Sequence, residues 1–475
     1  MESKSYDLVV IGSGPAGEKG AAQAAFYGKS VALVEAESAL GGAAANTGTL
    51  PSKTLRETAL FLSGFRNRDL SGINVSLTHK VTVRDFLKHE QRVSADERIR
   101  IFENLARHKV DLYHGRGALT DPHTVSVTPA EGPVIHLRGE QILIAVGSSP
   151  YRPPIFPFDE ERVYDSDEIL RLLEIPKNML VVGGGVIGCE YACMFAILGV
   201  EVTLVEQRER VIDSLDHEIG DSLQLQMEVI GVKLYTNDSV ESLESGETLK
   251  IKLKSGVELT PETVLVSSGR SGNTGGLGLE NAGIQADERG RIPVDKNYQT
   301  CISHIYAAGD VIGAPALAST SMEQARVAMV HAFGLNYETD IPRILPYGIY
   351  TIPECSMAGE TEETLIAKKV PYISGKACYS ANARGHIIGD DKGFLKLLFR
   401  LDDLKLLGVH VIGELATELI HVGLTALLLD QGAELFIETC YNYPTLSELY
   451  KYATYDALVK HAQMQHEPAT SYDEA

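Results

Sequence analysis

The sequence has little of three features that would each point to a particular kind of protein. Its six cysteines are scattered, without a C-x-x-C pair or the spacing of a disulfide framework, which is typical of a reducing compartment. Its fourteen histidines form no H-E-x-x-H or comparable cluster, so we predict no metal site. No apolar run reaches the ~18 residues that a membrane span needs.

Positive charge is also scarce. The chain has 43 Lys and Arg against 64 Asp and Glu, a formal net charge of -21. Bulk electrostatics therefore argue against nucleic acid or an anionic membrane as a partner, although a local basic pocket for a phosphate is compatible with this charge. The polar amino end passes directly into an apolar strand, and no signal peptide is evident. We expect a cytoplasmic protein.

A dinucleotide-binding fingerprint opens the chain. The G-x-G-x-x-G motif at Gly12, Gly14 and Gly17 follows a short apolar run and precedes an alanine-rich helical stretch. In such a motif the first glycine makes a tight turn, the second lets the backbone approach a pyrophosphate and the third lets helix and strand pack closely. The helix start offers free N–H groups to phosphates. Glu35, after the next strand, is placed to accept hydrogen bonds from a ribose.

The fingerprint occurs a second time. Gly183, Gly185, Gly188 and Glu206 each lie 171 residues after their counterparts in the first motif. Two chance matches with the same internal spacing and the same strand-helix-strand context are improbable. The sequence therefore predicts two dinucleotide sites, but these motifs leave open whether they bind two nicotinamides or one flavin and one nicotinamide.

Three more apolar strands end in glycine turns. They run from Ile142 to Gly147, from Val264 to Gly269 and from Ile305 to Gly309, and the last is followed by Asp310. An Asp at that place can bind polyol hydroxyls, while a turn-forming Asp is the ordinary alternative.

In this order the motifs resemble the flavoproteins of the pyridine nucleotide-disulfide reductase family. The resemblance extends from about Tyr6 to about His461 and includes Pro51-Ser52-Lys53 and the Ile352-Pro353-Glu354 segment. It implies an α/β fold with two Rossmann-like domains, one for FAD and one for NAD(H) or NADP(H), and a C-terminal α+β interface domain that builds a homodimer. The implied domains are 1–151 and 272–341 for FAD, 152–271 for NAD(P), and 342–475 for the interface.

The resemblance also implies which residues bind the cofactors. On FAD it places Gly12, Gly14, Gly17, Glu35, Gly41, Gly42, Lys53, Gly115 and Asp310; on the nicotinamide cofactor it places Gly183, Gly185, Gly188 and Glu206. The neighbouring positions that complete the set are Pro15, Ala16, Ala36, Asn46, Thr47, Arg116, Gly117, Ala118, Ala145, Val146, Gly147, Val186, Ile187, Gln207, Arg208, Gly269, Arg270, Gly309, Ala316, Leu317 and Ala318.

Two departures from the family pattern concern catalysis. Ala44 and Thr49 stand where disulfide reductases carry their redox cysteines, and Tyr443 stands where they carry the His that serves those thiols, while Glu448 is kept. A phenol is a poor proton shuttle at neutral pH. Thiol chemistry has thus lost both its nucleophile and its base.

These departures point to a subgroup. The stretches around Asn46 to Glu57 and Asn442 to Thr445 resemble the soluble, FAD-dependent pyridine nucleotide transhydrogenases, which pass hydride between NAD(H) and NADP(H). Relatives of that kind commonly keep one cysteine at the position of Ala44. Two other functions stay open: an NAD(P)H oxidase, diaphorase or quinone reductase, and a non-catalytic, regulatory FAD-binding dimer.

Further roles follow from the resemblance. Lys53 and Glu190 are expected to form a pair beside the flavin that favours its anionic reduced form. Tyr443 is expected to approach the flavin of the partner subunit, and Glu448 is expected to be catalytic together with Lys53, Glu190 and Tyr443.

The nicotinamide site presents one ambiguity. Glu206 suits the ribose 2'-OH of NAD and repels a 2'-phosphate, so either Arg208 or Arg210 could pair with that phosphate.

Secondary structure of the interface domain is predicted from the sequence pattern. We expect strands over Tyr347–Thr351 and Phe394–Phe399 and helices over Leu415–Leu429 and Leu446–Ala462.

Overall fold

The computed structural model describes residues 4–64, 82–335 and 340–466. In chain order its strands are β1 (Lys4–Ile11), β2 (Val31–Glu35), β3 (Asp111–His114), β4 (Arg116–Asp121), β5 (Thr124–Thr128), β6 (Ile135–Ile144), β7 (Ser148–Pro150), β8 (Val163–Asp165), β9 (Asn178–Val182), β10 (Glu201–Val205), β11 (Lys233–Tyr235), β12 (Val240–Ser245), β13 (Leu249–Leu253), β14 (Glu258–Leu259), β15 (Thr263–Val266), β16 (Arg270–Gly272), β17 (Ile305–Ala307), β18 (Tyr347–Ile349), β19 (Cys355–Gly359), β20 (Tyr372–Cys378), β21 (Phe394–Arg400) and β22 (Leu406–Ile412). Its helices are α1 (Pro15–Phe26), α2 (Gly42–Asn46), α3 (Thr49–Leu62), α4 (Val83–Arg107), α5 (Val186–Ile197), α6 (His217–Val229), α7 (Ala318–Phe333), α8 (Glu362–Lys368), α9 (Ala383–Ile388), α10 (Ala416–Leu428), α11 (Ala433–Glu438) and α12 (Leu449–His466).

The described residues form two compact units. The first unit comprises residues 4–58, 82–175, 263–335 and 340–341, and the second comprises 59–64, 176–262 and 342–466. The domain boundaries inferred from the sequence stay a prediction, because the two units are defined only by how compactly their residues pack.

A mixed sheet forms the centre of the first unit. Its strand order is β3-β2-β1-β6-β5-β4, and β17 pairs with the carboxyl half of β6. The pairings of β1 with β2 and β6, and of β2 with β3, are parallel, while β4 and β5 continue the sheet as antiparallel strands. The apolar run from Leu8 to Ile11 is almost fully buried, as a parallel strand covered on both faces requires.

Small residues let the helices of this unit lie close to the sheet. In α1 a Cβ on Gly20 would come within 2.4 Å of Leu143 Cδ2 and 3.4 Å of Ala325 Cβ in α7. The alanines Ala21 and Ala24 are fully buried on the same helix. This close packing fixes the amino end of α1 at the carboxyl end of β1.

The second unit repeats part of this plan. Strands β9, β10 and β11 are parallel neighbours, and α5 connects β9 to β10. Cys189 and Cys193 on α5 are both fully buried, so they fill the core as small apolar residues.

The carboxyl part of the second unit is an antiparallel sheet with helices against it. The strand order is β18-β19-β22-β21-β20, and its core includes Phe399, Phe436 and Tyr450. The predicted strands and the two predicted long helices are confirmed, with ends that differ by up to four residues. The α/β class with two Rossmann-like units and an α+β carboxyl part is therefore confirmed.

Candidate functional site

The turn between β1 and α1 has the geometry of a phosphate-binding loop. Gly12 has φ +101°, and a Cβ there would lie 2.4 Å from the Ala145 carbonyl oxygen. A Cβ on Gly17 would lie 1.8 Å from the Gly12 carbonyl oxygen, whereas the nearest atom to a Cβ on Gly14 is 3.9 Å away. The α1 helix begins at Pro15 without a side-chain cap, so its first amides are available to an anion.

Glu35 is held firmly at the end of β2. Its Oε2 accepts from the Ser13 amide at 2.8 Å and the Ser13 hydroxyl at 2.5 Å, and its Oε1 accepts from the Glu37 amide at 2.8 Å. The side chain is 7% exposed. Each carboxylate oxygen can accept more than one bond, so the oriented group keeps acceptor capacity for a ribose.

The segment with the lost cysteines folds into α2 and the start of α3. Gly41 caps α2 with φ +100°, and Asn46 Nδ2 donates to the Leu40 carbonyl at 2.9 Å and the Gly42 carbonyl at 2.8 Å. Asn46 Oδ1 is buried and has no hydrogen-bond partner within the described structure. A buried acceptor without a donor is costly, and a bound ligand with an N–H or O–H group would satisfy it.

The four predicted catalytic residues occupy different elements. Lys53 lies on α3, where its Nζ donates to the Ser52 hydroxyl at 3.1 Å. Glu190 lies on α5, is 2% exposed and accepts from the Tyr350 amide at 2.9 Å. Tyr443 is 76% exposed, and Glu448 ends a 3-10 turn ahead of α12. The pairing of Lys53 with Glu190 and the approach of Tyr443 to a partner subunit stay predictions.

Asp310 follows β17 and is oriented by Ser148, a residue that was not predicted from the sequence as part of the site. The Ser148 hydroxyl donates to Asp310 Oδ2 at 2.8 Å. Ser148 receives bonds from Arg270, whose Nε donates to the hydroxyl at 2.8 Å and whose Nη2 donates to the carbonyl at 2.7 Å. The Ala-Val-Gly-Ser turn is the sequence signal that contains Ser148. Arg270 thus has a structural role inside the protein, whatever it contributes to a cofactor.

The turn between β9 and α5 reproduces the first loop closely. Gly183 has φ +102°, and a Cβ on Gly188 would lie 1.9 Å from the Gly183 carbonyl oxygen. A Cβ on Gly185 would meet nothing within 4 Å, and Gly185 precedes α5 without a side-chain cap. Val186, at the helix start, is 37% exposed. This loop is therefore open to an anion in the same way as the first.

Glu206 matches Glu35 in its setting. Its Oε2 accepts from the Gly184 amide at 2.6 Å and its Oε1 from the Arg208 amide at 2.8 Å. Both carboxylates are thus oriented by the glycine-rich loop of their own repeat, which supports the ribose-binding role for each.

The two candidate arginines after Glu206 differ in their surroundings. Arg210 Nε donates to Asp221 Oδ1 at 2.8 Å, and its side chain is 25% exposed. Arg208 is exposed, and its carbonyl accepts from the Asn237 amide at 2.9 Å, so only its backbone is fixed. Within the described ranges no acidic side chain pairs with Arg208. The structure therefore favours Arg208 as the group free to meet a phosphate.

The remaining candidates lie on several different elements and turns. Gly115 has φ +153°, and its amide donates to the Glu35 carbonyl at 2.8 Å, which joins β3 to the end of β2. Leu317 precedes α7, which begins at Ala318 without a side-chain cap. The others in these stretches are Ala16, Ala36, Gly42, Thr47, Arg116, Gly117, Ala118, Val146, Gly147, Ile187, Gln207, Gly269, Gly309 and Ala316.

The described residues contain neither a candidate metal site nor a candidate membrane span. In that part of the chain, no group of three or more His, Cys, Asp and Glu side chains is placed to hold a metal ion. Nor does any helix there combine the length and hydropathy required to cross a membrane.

Comparisons with known proteins cover nearly the whole chain. The family model described as pyridine nucleotide-disulphide oxidoreductase matches residues 6–331, and that of the dimerisation domain of the same proteins matches 345–454. A protein of Mycobacterium tuberculosis named soluble pyridine nucleotide transhydrogenase is 46% identical over 460 residues, which cover 96% of this chain and 98% of that protein. A Pseudomonas fluorescens protein of the same name is 40% identical, with 96% and 99% covered.

Two solved structures are similar throughout. LpdA from Mycobacterium tuberculosis has a TM-score of 0.88 at 27% identity and covers 95% of this chain and 99% of its own. The flavoprotein disulfide reductase RclA from Escherichia coli, solved as a Cu(II) complex, has a TM-score of 0.86 at 28% identity, with 96% and 99% covered.

Proposed function

This chain belongs to the pyridine nucleotide-disulphide oxidoreductase family, and from that premise we propose that it is an FAD-dependent transhydrogenase that passes hydride between NAD(H) and NADP(H). The observation that carries the proposal is the combination of two complete dinucleotide loops with Ala44 and Thr49 at the positions of the redox cysteines. The full-length similarity to proteins named soluble pyridine nucleotide transhydrogenase supports it.

The residues of the first unit fit FAD. The open space at Gly14, the uncapped start of α1 and the unsatisfied Asn46 Oδ1 together form a cradle for a pyrophosphate and a polar ligand. Bound FAD supplies an acceptor that takes hydride from one nicotinamide and gives it to the next. Since neither an alanine methyl nor a threonine hydroxyl can store a pair of electrons, the protein adds no further carrier in this segment.

The overall reaction needs no proton transfer to or from a side chain. NADH and NADP+ become NAD+ and NADPH, and the hydride carries both electrons. A general base such as the family His therefore has no task, which explains why Tyr443 is acceptable at that position. The amides at the start of α5 hold the pyrophosphate of each nucleotide in turn, while Glu206 orients its ribose.

Assembly and location complete the proposal. The match to the dimerisation domain at 345–454 supports a homodimer. Exposed Tyr443, Tyr452 and Tyr455 are aromatic residues of the kind that subunit interfaces bury. We further propose that the protein acts in the cytoplasm, where the scattered free cysteines would stay reduced.

One anaerobic experiment tests the proposed reaction. Purified protein is mixed with NADPH and thio-NAD+, and the absorbance of thio-NADH is followed. We expect thio-NADH to form at a catalytic rate. Bleaching of the flavin without thio-NADH would point to an oxidase or quinone reductase, and no bleaching would point to a non-catalytic FAD-binding protein.

Replacing Lys53 with Met is expected to slow flavin reduction by NADPH about 10²-fold, the usual loss when one group that stabilises developing negative charge is removed. The measurement is stopped-flow absorbance of the flavin under anaerobic conditions. Lys88→Met, at an exposed position of α4, is the control and should reduce at the wild-type rate. An unchanged rate in the Lys53 variant would remove Lys53 from the mechanism.

Replacing Arg208 with Gln is expected to raise KM for NADPH about 10- to 100-fold and to leave KM for NADH nearly unchanged, because a charge-assisted bond to the 2'-phosphate is lost. Steady-state kinetics with each nucleotide provide the measurement. Arg210→Gln is the matched control, since Arg210 is already paired with Asp221. A larger rise in KM for NADPH in the Arg210 variant would reverse the assignment.

A further inference from the structure

Four side chains of the first unit form one chain of polar contacts from Asp167 to Asp310. Asp167 Oδ1 accepts from Arg270 Nη1 at 3.3 Å. Arg270 Nε donates to the Ser148 hydroxyl, which donates to Asp310, each at 2.8 Å. These residues are brought together only by the fold, because no two of them are neighbours in the sequence.

The donors and acceptors available on each side chain determine the direction of the hydrogen bonds in this network. A guanidinium has only donors, so the Ser148 hydroxyl must accept from Arg270. Its single proton is then left for Asp310 Oδ2. The Ser148 hydroxyl therefore links Arg270 to one oxygen of the Asp310 carboxylate.

Asp167 is itself placed by a rigid turn. The amides of Asp167 and Glu168 both donate to Asp165 Oδ1 at 2.9 Å, and Arg152 pairs with Asp165 Oδ2 at 2.8 Å. Burial raises the pKa of Asp167, while Arg270 and Thr47 act in the opposite direction. The side chains of Asp167 and Arg270 are 26% and 19% exposed, so the contact is partly shielded from water.

We propose that Asp167 is a positioning residue for FAD. It holds Arg270 against Ser148 and thereby orients Asp310. This inference rests on the part of the proposed function that assigns FAD to the first unit. It does not depend on which acceptor finally takes the hydride.

The test measures flavin release from the purified holoenzyme by the rise in flavin fluorescence on dilution, together with its visible absorption spectrum. Asp167→Asn is expected to speed release about tenfold, since it removes the charge from the bond with Arg270, and to change the visible band. Asp167→Glu should restore part of the slow release.

Glu97→Gln is the control for the loss of a carboxylate that pairs with an arginine. Glu97 binds Arg100 on α4 at 2.6 Å, outside this network, and its replacement should leave release and spectrum unchanged. The inference would be overturned if Asp167→Asn released flavin at the wild-type rate and kept the wild-type spectrum, or if Glu97→Gln accelerated release equally. In either case the wild-type protein would still hold FAD. Wild-type protein that binds no FAD would overturn both this inference and the proposed function.

Discussion

Gly188→Val should abolish binding of NADPH and NADH while the protein keeps its flavin. A Cβ at this position lies 1.9 Å from the Gly183 carbonyl oxygen, and backbone cannot yield to such a contact without moving the loop. Moving the loop displaces the amides that would hold the pyrophosphate. We expect nucleotide affinity to fall at least ~10²-fold, as when several charge-assisted bonds are lost together.

The matched substitution in the first unit should instead remove the flavin. Gly17→Val places its Cβ 1.8 Å from the Gly12 carbonyl oxygen, so we expect purified protein without flavin. Flavin content is measured by absorbance, and nucleotide binding by calorimetry. Gly275→Val and Gly246→Val are the controls in the first and second units, since their surroundings within about 3.9 Å are open. Loss of flavin from Gly188→Val would show that the two loops are not independent.

Lys396→Met should lower the free energy of unfolding of the second unit by about 3 to 5 kcal/mol, because it leaves the buried Asp216 carboxylate without its cation. Lys396 is 2% exposed, and its Nζ lies 2.8 Å from Asp216, 3.1 Å from Glu218 and 3.0 Å from Glu362. Burial by itself lowers the pKa of Lys396, but bonds to these carboxylates outweigh burial and raise it. The lysine is therefore charged in the native state.

Denaturation by urea, followed by circular dichroism, measures this effect. Lys252→Met is the control, because the pair of Lys252 with Glu241 is half exposed and such pairs contribute about 1 kcal/mol or less. An equal, small loss in both variants would contradict the stabilising role of the buried cluster.

The pH dependence of unfolding provides a second measurement for the same variant. Burial would raise the pKa of Asp216 and of Glu218. His410 and Lys396 hold the pKa of Asp216 below its ordinary value of 3.8, and Lys376 and Lys396 hold that of Glu218 below 4.5. The resulting stability is complete above those ordinary values and is lost as the pH falls through the lower native values. Lys396→Met should weaken this acid dependence, since it removes one of the groups that lower both pKa values.

The sequence predicted the parts of the fold that depend on local pattern. Three glycines at fixed spacing after an apolar strand predict a tight turn that packs against the following helix. The structure shows the same positive φ at the first glycine of each motif, Gly12 and Gly183. The position of each cofactor contact remains a prediction.

The arginines after Glu206 show where local pattern is insufficient. Arg208 and Arg210 are separated by one residue, and the sequence could not choose between them. The choice depends on Asp221, which reaches Arg210 from the first turns of α6 at 2.8 Å. Only side-chain direction in the folded chain supplies that information.

The sequence by itself determined the two dinucleotide loops, their order and the absence of sulfur at Ala44 and Thr49, because each is a property of consecutive residues. Tertiary structure alone decided the Asp167 network and the Lys396 cluster. Lys396 and Asp216 are 180 residues apart, and Asp310 and Ser148 are 162 apart. Folding brings such distant groups together, and where it also excludes water, as at Lys396 and Asp216, a charge needs the partner that the fold supplies.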